Sequence, residues 1–392
     1  MTFSFEEHEV SEPATPNKRI MIIAGEASGD LHGSTLVREA LSRDPSLSFF
    51  GIGGPMMREA GADTLVDARE MAVVGLVEVA AHFPTIYRAF RRMADILKNN
   101  PPDLLILIDY PDFNLRLARV ARKAGVRVLY YISPQVWAWR VGRVRKIARL
   151  VDRMAVVFPF EVPFYEREGV PVSFVGHPLV DTARPTMPVD EARGRFGLDP
   201  SRRTVGLFPG SRVQEIRKHL PVILESARIL KERFPDLQFI LPLASSLERA
   251  DIDPCLESST LPVTVVSGKG YDVIQVCDAI ISVSGTVTLE IALLGVPMVI
   301  IYRVSPLTYA VGKRLIRVDH IGICNIVAGK RVVREMIQHE AEPGLIADEI
   351  ARILTDPGYT DEIRKGLALV RERLGEGGCS GRVAAIALEM LE

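Results

Sequence analysis

Three stretches of this chain carry residue types suited to moving charge between an anion and an acid. Pro209-Gly210-Ser211-Arg212 lies between an apolar run, Thr204 to Phe208, and a helical run, Val213 to Arg233. Free backbone N–H groups and the positive end of a helix then converge on that loop, so an anion is its expected guest. Gly210 lets the backbone approach, Ser211 offers a hydroxyl, and Arg212 adds a permanently charged fork for phosphate oxygens. An ordinary strand-to-helix turn would use the same residues. The second stretch, Ser282 to Glu290, repeats the arrangement with Ser284, Gly285 and Thr286 at the loop. Glu290 follows Thr286 by one helical turn and is placed to accept the hydroxyls of a ribose, or else to cap the helix. Two phosphate-type loops in one half favour a diphosphate over a lone small anion, with Lys269 as a further cation, and leave the base unnamed.

The acids stand in the other half. Asp109 ends the continuous apolar run Leu104 to Ile108, where an open parallel sheet presents its ligand groups, and is the candidate general base. Asp112 and Asn114 follow, as helix caps or as its supporting shell. Glu26 and Asp30 flank Ser28-Gly29 and form a second acidic pair, although Asp30 is also a plausible helix cap. A dinucleotide fingerprint fails: Gly51-Ile52-Gly53-Gly54-Pro55 runs into Met56 where the last glycine belongs. Asp251 and Asp253 sit in a polar, proline-flanked loop rather than beyond an apolar strand, and Cys255, Cys277, Cys324 and Cys379 form no C-x-x-C pair. No metal and no cofactor are expected. Charge on a leaving diphosphate is then neutralised by Arg212, helix dipoles and Lys269.

The elements that must hold these residues read as two α/β series. Strands are expected at Ile20–Ala24, Ser48–Ile52, Leu104–Ile108, Val126–Ile132, Met154–Phe158 and Val172–Val175. A second set covers Thr204–Phe208, Gln238–Leu243, Val263–Val266, Ala279–Val283 and Met298–Tyr302. The segment Pro178 to Arg202, with Pro185, Pro188 and Pro200, has the composition of a connection between domains. The expected division is a loose leader over 1–18, an N-terminal domain over 19–185, a C-terminal domain over 186–360, and helix over 361–392 that packs on either domain. At 392 residues the chain is long enough for two cores. The balance of 48 basic against 49 acidic side chains supplies no field for gripping a nucleic-acid backbone, so no nucleic-acid partner is expected. Scattered cysteines point to a reducing cytosol, and no run reaches the roughly 18 apolar residues of a membrane span.

Two stretches speak to a greasy or anionic partner. Met71 to Ala81 holds one charge in 11 residues and includes Val74, Leu76 and Val77, which reads as a buried helix or as an apolar face for lipid. Arg140, Arg143, Arg145, Lys146 and Arg149 follow Trp137 and Trp139 without an intervening acid, which reads as a phosphate or headgroup contact or as a solvated helix face.

Taken together, IAGEASGD, GIGGPMM, VVGLVEV, IDYPDFN, YYISPQVWAWR, FPFE, FVGHPLVD, LFPGSR, SGTVTLE and Ile323-Cys324-Asn325 closely resemble the lipid-A-disaccharide synthase family, in its motif order, over residues 19 to 385. The resemblance implies a GT-B fold, two Rossmann-like domains facing a cleft, and an inverting glycosyltransferase. It implies UDP-2,3-diacylglucosamine as donor, 2,3-diacylglucosamine 1-phosphate (lipid X) as acceptor, and the β-1,6-linked lipid A disaccharide 1-phosphate and UDP as products. Asp109 then looks like the required acid and Arg212 like the phosphate-side arginine. Ser284, Gly285, Thr286, Glu290 and Asn325 match positions on the nucleotide side of the cleft. Peripheral attachment to the cytoplasmic face of a Gram-negative inner membrane, and a homodimer formed by exchanging C-terminal segments, are implied as well. A UDP-sugar epimerase of the same fold and a non-catalytic nucleotide-sugar sensor are the competing functions.

Overall fold

The computed structural model describes residues 18–71, 76–134, 144–305, 309 and 319–392. Val74, Trp137, Arg140 and Arg143 lie outside the described residues, as do the side chains of Leu76 and Val77.

Two parallel sheets organise the chain. The first has seven strands: β1 (Lys18–Ala24), β2 (Leu47–Gly53), β3 (Asp63–Asp67), β4 (Leu104–Ile108), β5 (Arg127–Tyr131), β6 (Arg153–Val156) and β7 (Val172–Phe174), in the order β3-β2-β1-β4-β5-β6-β7. The second has six: β8 (Thr204–Phe208), β9 (Gln238–Leu243), β10 (Val263–Ser267), β11 (Ala279–Val283), β12 (Met298–Tyr302) and β13 (Glu335–Ile337), in the order β10-β9-β8-β11-β12-β13. Sequence patterning anticipates all but β3 and β13. Both are edge strands, and β3 carries an aspartate at each end.

Central strands are apolar on both faces because helices cover both sides. In β4, Leu105 and Leu107 point into one core layer and Leu104, Ile106 and Ile108 into the other, all at most 1 % exposed. Each such side chain contributes about 2 kcal/mol of burial, which makes the ends of these strands a firm base for a reactive loop.

The helices used below are α1 (Ala27–Arg43), α2 (Pro55–Glu59), α3 (Leu76–Asn99), α4 (Pro111–Lys123), α5 (Val213–Arg233), α6 (Val287–Leu293), α7 (Ile323–Ala328), α8 (Pro343–Thr355), α9 (Pro357–Arg373) and α10 (Cys379–Glu389). Among the described residues none is long and apolar enough to cross a membrane. The helical stretch expected over 361–392 is made by two helices, the first of which begins at Pro357. Gly375 and Gly378, at φ +83° and +82°, turn the chain between α9 and α10. Helix α10 then packs on α1 of the first domain, where Ser380 Oγ meets Thr35 Oγ1 at 2.8 Å and Arg382 Nε donates to the Val175 carbonyl at 2.9 Å. The chain thus crosses between domains twice. At the first crossing the buried Asp272 carboxylate accepts from Thr186 N at 2.7 Å and from Thr186 Oγ1 at 2.6 Å.

In each sheet the strand order reverses once, between β1 and β4 and between β8 and β11. A crevice opens beyond the carboxyl ends of the strands at such a point. The acids follow β1 and β4, and the anion loops follow β8 and β11.

Candidate active site

On the C-terminal side, a cleft of about 690 Å³ brings together Gly210, Ser211, Arg212, Lys269, Ser284, Gly285, Thr286 and Glu290. Gly210 has φ +110°, and a Cβ there would stand 2.4 Å from Glu215 Oε2, so only glycine fits. Arg212 occupies the N-cap of α5 in extended conformation, and its side chain is 68 % exposed. Glu215, one turn into α5, reaches back over the loop. Its carboxylate accepts from Ser211 N at 3.0 Å and from Arg212 Nη1 at 3.1 Å. A carboxylate therefore already rests in the cradle that the loop offers to anions. Sequence reasoning passed over Glu215; an acid at the third helical position after the N-cap is the signal that finds it.

Across the cleft, Ser284 Oγ donates to the Ile321 carbonyl at 3.0 Å, leaving Gly285 and Thr286 at the mouth. Glu290 lies deeper on α6, where burial raises its carboxyl above the ordinary range and Tyr271 Oη donates to Oε1 at 3.4 Å. Lys269 Nζ reaches Thr186 Oγ1 at 3.3 Å, tying this wall to the interdomain crossing.

Asn325 is a correction. It is fully buried on α7 and does not line the cleft. Its amide donates to Val333 O at 2.9 Å and to Glu335 Oε1 at 2.7 Å, while its oxygen accepts from Val332 N at 2.8 Å. Glu335 in turn accepts from Ile321 N and Gly322 N, both at 2.9 Å. Asn325 thus acts on the cleft at a distance, by fixing the segment to which Ser284 is bonded.

On the N-terminal side, β4 ends in a sharp elbow. Asp109 and Tyr110 both adopt left-handed backbone, φ +44° and +46°, before Pro111 opens α4. For residues with a Cβ each such conformation costs about 1–2 kcal/mol and persists only where the surroundings impose it. Here they do. Asp109 N donates to Tyr131 O at 3.1 Å, and the Asp109 carbonyl accepts from Tyr130 Oη and from Asn114 Nδ2, each at 2.6 Å. The Tyr110 ring lies so close to Gly25 that a Cβ there would come within 2.7 Å of it, and Tyr110 Oη donates to Met71 O at 3.2 Å.

The elbow leaves the Asp109 side chain partly buried. Loss of hydration, and after it the negative charge of Glu26, push its carboxyl from the ordinary 3.8 up to about 6, against a smaller opposing pull from the Tyr110 N–H. Such a group is a carboxylate at neutral pH and still basic enough to take a proton. Glu26 stands exposed at the N-cap of α1. Asp30 is the second correction. It is 4 % exposed, and its carboxylate accepts from Gly54 N, Met56 N and Met57 N at 2.7, 3.1 and 3.0 Å. It caps α2 rather than the helix that contains it, and its oxygens are occupied by that task. The glycines at 53 and 54 serve the same packing: a Cβ on Gly54 would lie 2.4 Å from Asp30 Oδ2.

Among the described residues no three His, Cys, Asp or Glu side chains gather as a metal site. Asp251 caps Glu248 N at 2.9 Å and Asp253 pairs with Arg249 at 2.5 Å. A second cleft of about 660 Å³, among Lys330, Arg331, Arg334, Arg352 and Tyr359, lies at the amino-terminal approach to β13, apart from the four loops at the switch points.

Comparison with known proteins agrees with this geometry. The lipid-A-disaccharide synthetase family model matches residues 20–380. Lipid-A-disaccharide synthase from Geobacter sulfurreducens is 73 % identical over 95 % of this chain and 97 % of its own length. The synthase from Coxiella burnetii is 44 % identical over 96 % of this chain and 99 % of its own. Among solved structures, UDP-GlcNAc 2-epimerase from Neisseria meningitidis bound to UDP-GlcNAc has a TM-score of 0.64 at 14 % identity, over 95 % of this chain and 99 % of that one. The glycosyltransferase of kitacinnamycin has a TM-score of 0.60 at 14 % identity, over 96 % and 99 %. Those two likenesses establish the shared two-domain fold.

Proposed function

The chain belongs to the lipid-A-disaccharide synthase family and is a glycosyltransferase of lipid A disaccharide formation, and from that premise we propose how its two loops divide the reaction. The donor is UDP-2,3-diacylglucosamine and the acceptor 2,3-diacylglucosamine 1-phosphate. Asp109 takes the proton from the acceptor 6-hydroxyl as that oxygen attacks the anomeric carbon from the face opposite the diphosphate. The new C–O bond is β-1,6. The old bond breaks with its electron pair going to UDP.

Negative charge then grows on the leaving diphosphate, where Arg212, the Ser211 hydroxyl, Lys269 and the N-terminus of α5 stabilise it without a metal ion. Thr286 takes further phosphate oxygens, Ser284 braces that loop through its bond to the Ile321 carbonyl, and Glu290 accepts from the ribose hydroxyls. Val74, Leu76, Val77, Trp137, Arg140 and Arg143 contact acyl chains and headgroups. The protein works as a homodimer on the cytoplasmic face of the inner membrane, with its own C-terminal helix crossing back onto its first domain.

The observation that carries this reading is the pairing of an acid lifted to about 6 at one switch point with an anion cleft at the other. Formation of the disaccharide from the two acylated glucosamines, followed in wild type and Asp109→Asn, tests it. The variant should lose about 10²- to 10⁴-fold in kcat while binding UDP as before. Wild-type turnover in the variant would remove Asp109 from the mechanism. Conversion of UDP-diacylglucosamine alone to an epimer would favour the epimerase chemistry of the structural neighbours.

A further inference from the structure

An acid that removes a proton must stand within a fraction of an ångström of its working position, yet Asp109 sits on a loop whose backbone has no intrinsic preference for the shape it adopts. Two adjacent left-handed residues, neither of them glycine, are at φ +44° and +46°. Strand-to-helix elbows of this kind raise one side chain above the end of a sheet. Something must hold the elbow bent. The main-chain carbonyl of Asp109 itself accepts two hydrogen bonds of 2.6 Å, from Tyr130 Oη on β5 and from Asn114 Nδ2 on α4, and Asn114 Nδ2 also donates to Ile108 O at 3.1 Å. Both side chains are fully buried, and neither lines the anion cleft.

We propose that Tyr130 and Asn114 are positioning residues for the transfer reaction, clamping the Asp109 carbonyl so that its carboxylate is held, half desolvated, toward the acceptor. The proposal rests on the reading of Asp109 as the base. Tyr130 fills space that a phenylalanine ring would fill equally well, so its hydroxyl is present for the bond and not for the packing. Asn114 joins the last residue of β4 to the first residue beyond it through one amide. Released from either donor, the elbow relaxes toward ordinary backbone. The carboxylate then swings outward, gains water, and loses both its aim and its raised proton affinity.

Tyr130→Phe in the full-length protein, assayed with both acylated substrates, tests the clamp. It should lower kcat about 10- to 100-fold with the donor KM and UDP affinity unchanged. The acidic limb of the pH profile should move below about 6, toward an ordinary aspartate. In an Asp109→Asn background the same substitution should cause no further loss, because Tyr130 acts only through Asp109. A variant with wild-type kcat and an unmoved acidic limb overturns the proposal, as does a full additional loss on top of Asp109→Asn. Asn114→Ser removes the other donor and carries the same expectations should Tyr130→Phe not fold. Wild-type turnover by Asp109→Asn would sink the base assignment itself, whereas an inactive Asp109→Asn beside a fully active Tyr130→Phe would sink only the clamp.

Discussion

The loops beyond β4 and β8 each border the switch point of their own sheet, yet they are built in opposite ways. Asp109 is partly buried in a bent backbone held by two buried side chains, with an acid nearby to raise its proton affinity. Arg212 is two-thirds exposed, two residues from a glycine whose φ of +110° no other residue adopts cheaply, and it pairs with Glu215 within its own helix turn. On the proposed division of the reaction, the difference follows from what each loop exchanges. A base gains strength by losing water, so its loop is closed and stiff. A phosphate cradle must admit and release a large hydrated anion on every turnover, so its loop is open, and a carboxylate, Glu215, covers its N–H in the meantime.

The most damaging blow to the open side is Arg212→Ala. If Arg212 meets charge that grows as the diphosphate leaves, kcat should fall about 10²- to 10³-fold, more than UDP affinity does. Loss confined to KM would make the arginine a ground-state anchor, and the contrast between a chemical loop and a binding loop would then be sharper than drawn here.

The closed side should show its character in stability. With its carboxyl lifted from 3.8 to about 6 in the folded chain, Asp109 favours folding only while protonated. Its favourable term is complete below the unfolded value near 4 and is lost as pH rises through about 6, so the ionised acid is a burden at pH 8. Asp109→Asn, neutral at every pH, should therefore be more stable than wild type by about 2 kcal/mol at pH 8, allowing for screening by partial exposure. The difference should close as pH falls below 4. Thermal melts across that range check it. Equal stability at pH 8 would mean that Asp109 is not held out of water.

Reading these features from residues alone succeeds unevenly, for physical reasons. Central strands are legible because burial on both faces leaves an unbroken apolar run, as in Leu104 to Ile108. Edge strands such as Glu335–Ile337 have only three residues and a charge, and resemble loop. The anion loops are visible as a pair: either alone could be an ordinary strand-to-helix turn, but two such small-residue loops in one half favour a diphosphate. Asp109 is visible from its place after β4. Its clamp is not, since a tyrosine inside an apolar strand reads as core until the direction of its hydroxyl is known. Asn325 and Asp30 show the converse failure. Asn325 enters only through the family resemblance and Asp30 as either an acid of the site or a helix cap, and in both the polar atoms are consumed within the fold, by main-chain groups and, for Asn325, by Glu335 as well.

The finest test of the contrast between the loops is the charge of Glu26. Burial is the larger cause of the lift in Asp109 and Glu26 the smaller, so Glu26→Gln should lower the acidic limb of the kcat/KM profile by less than half of the rise from 3.8 to about 6. The direction follows from the sign of the charge. A neutral neighbour makes the Asp109 carboxylate easier to form, so the variant stays active to lower pH than wild type, while at pH 8 it works with a slightly weaker base. Because Glu26 is exposed, added salt should shrink the separation between the two profiles without moving that of the variant. A limb that does not move, or that moves upward, would mean that burial alone tunes Asp109. The acidic pair would then be a feature of the α1 terminus with no part in the closed loop.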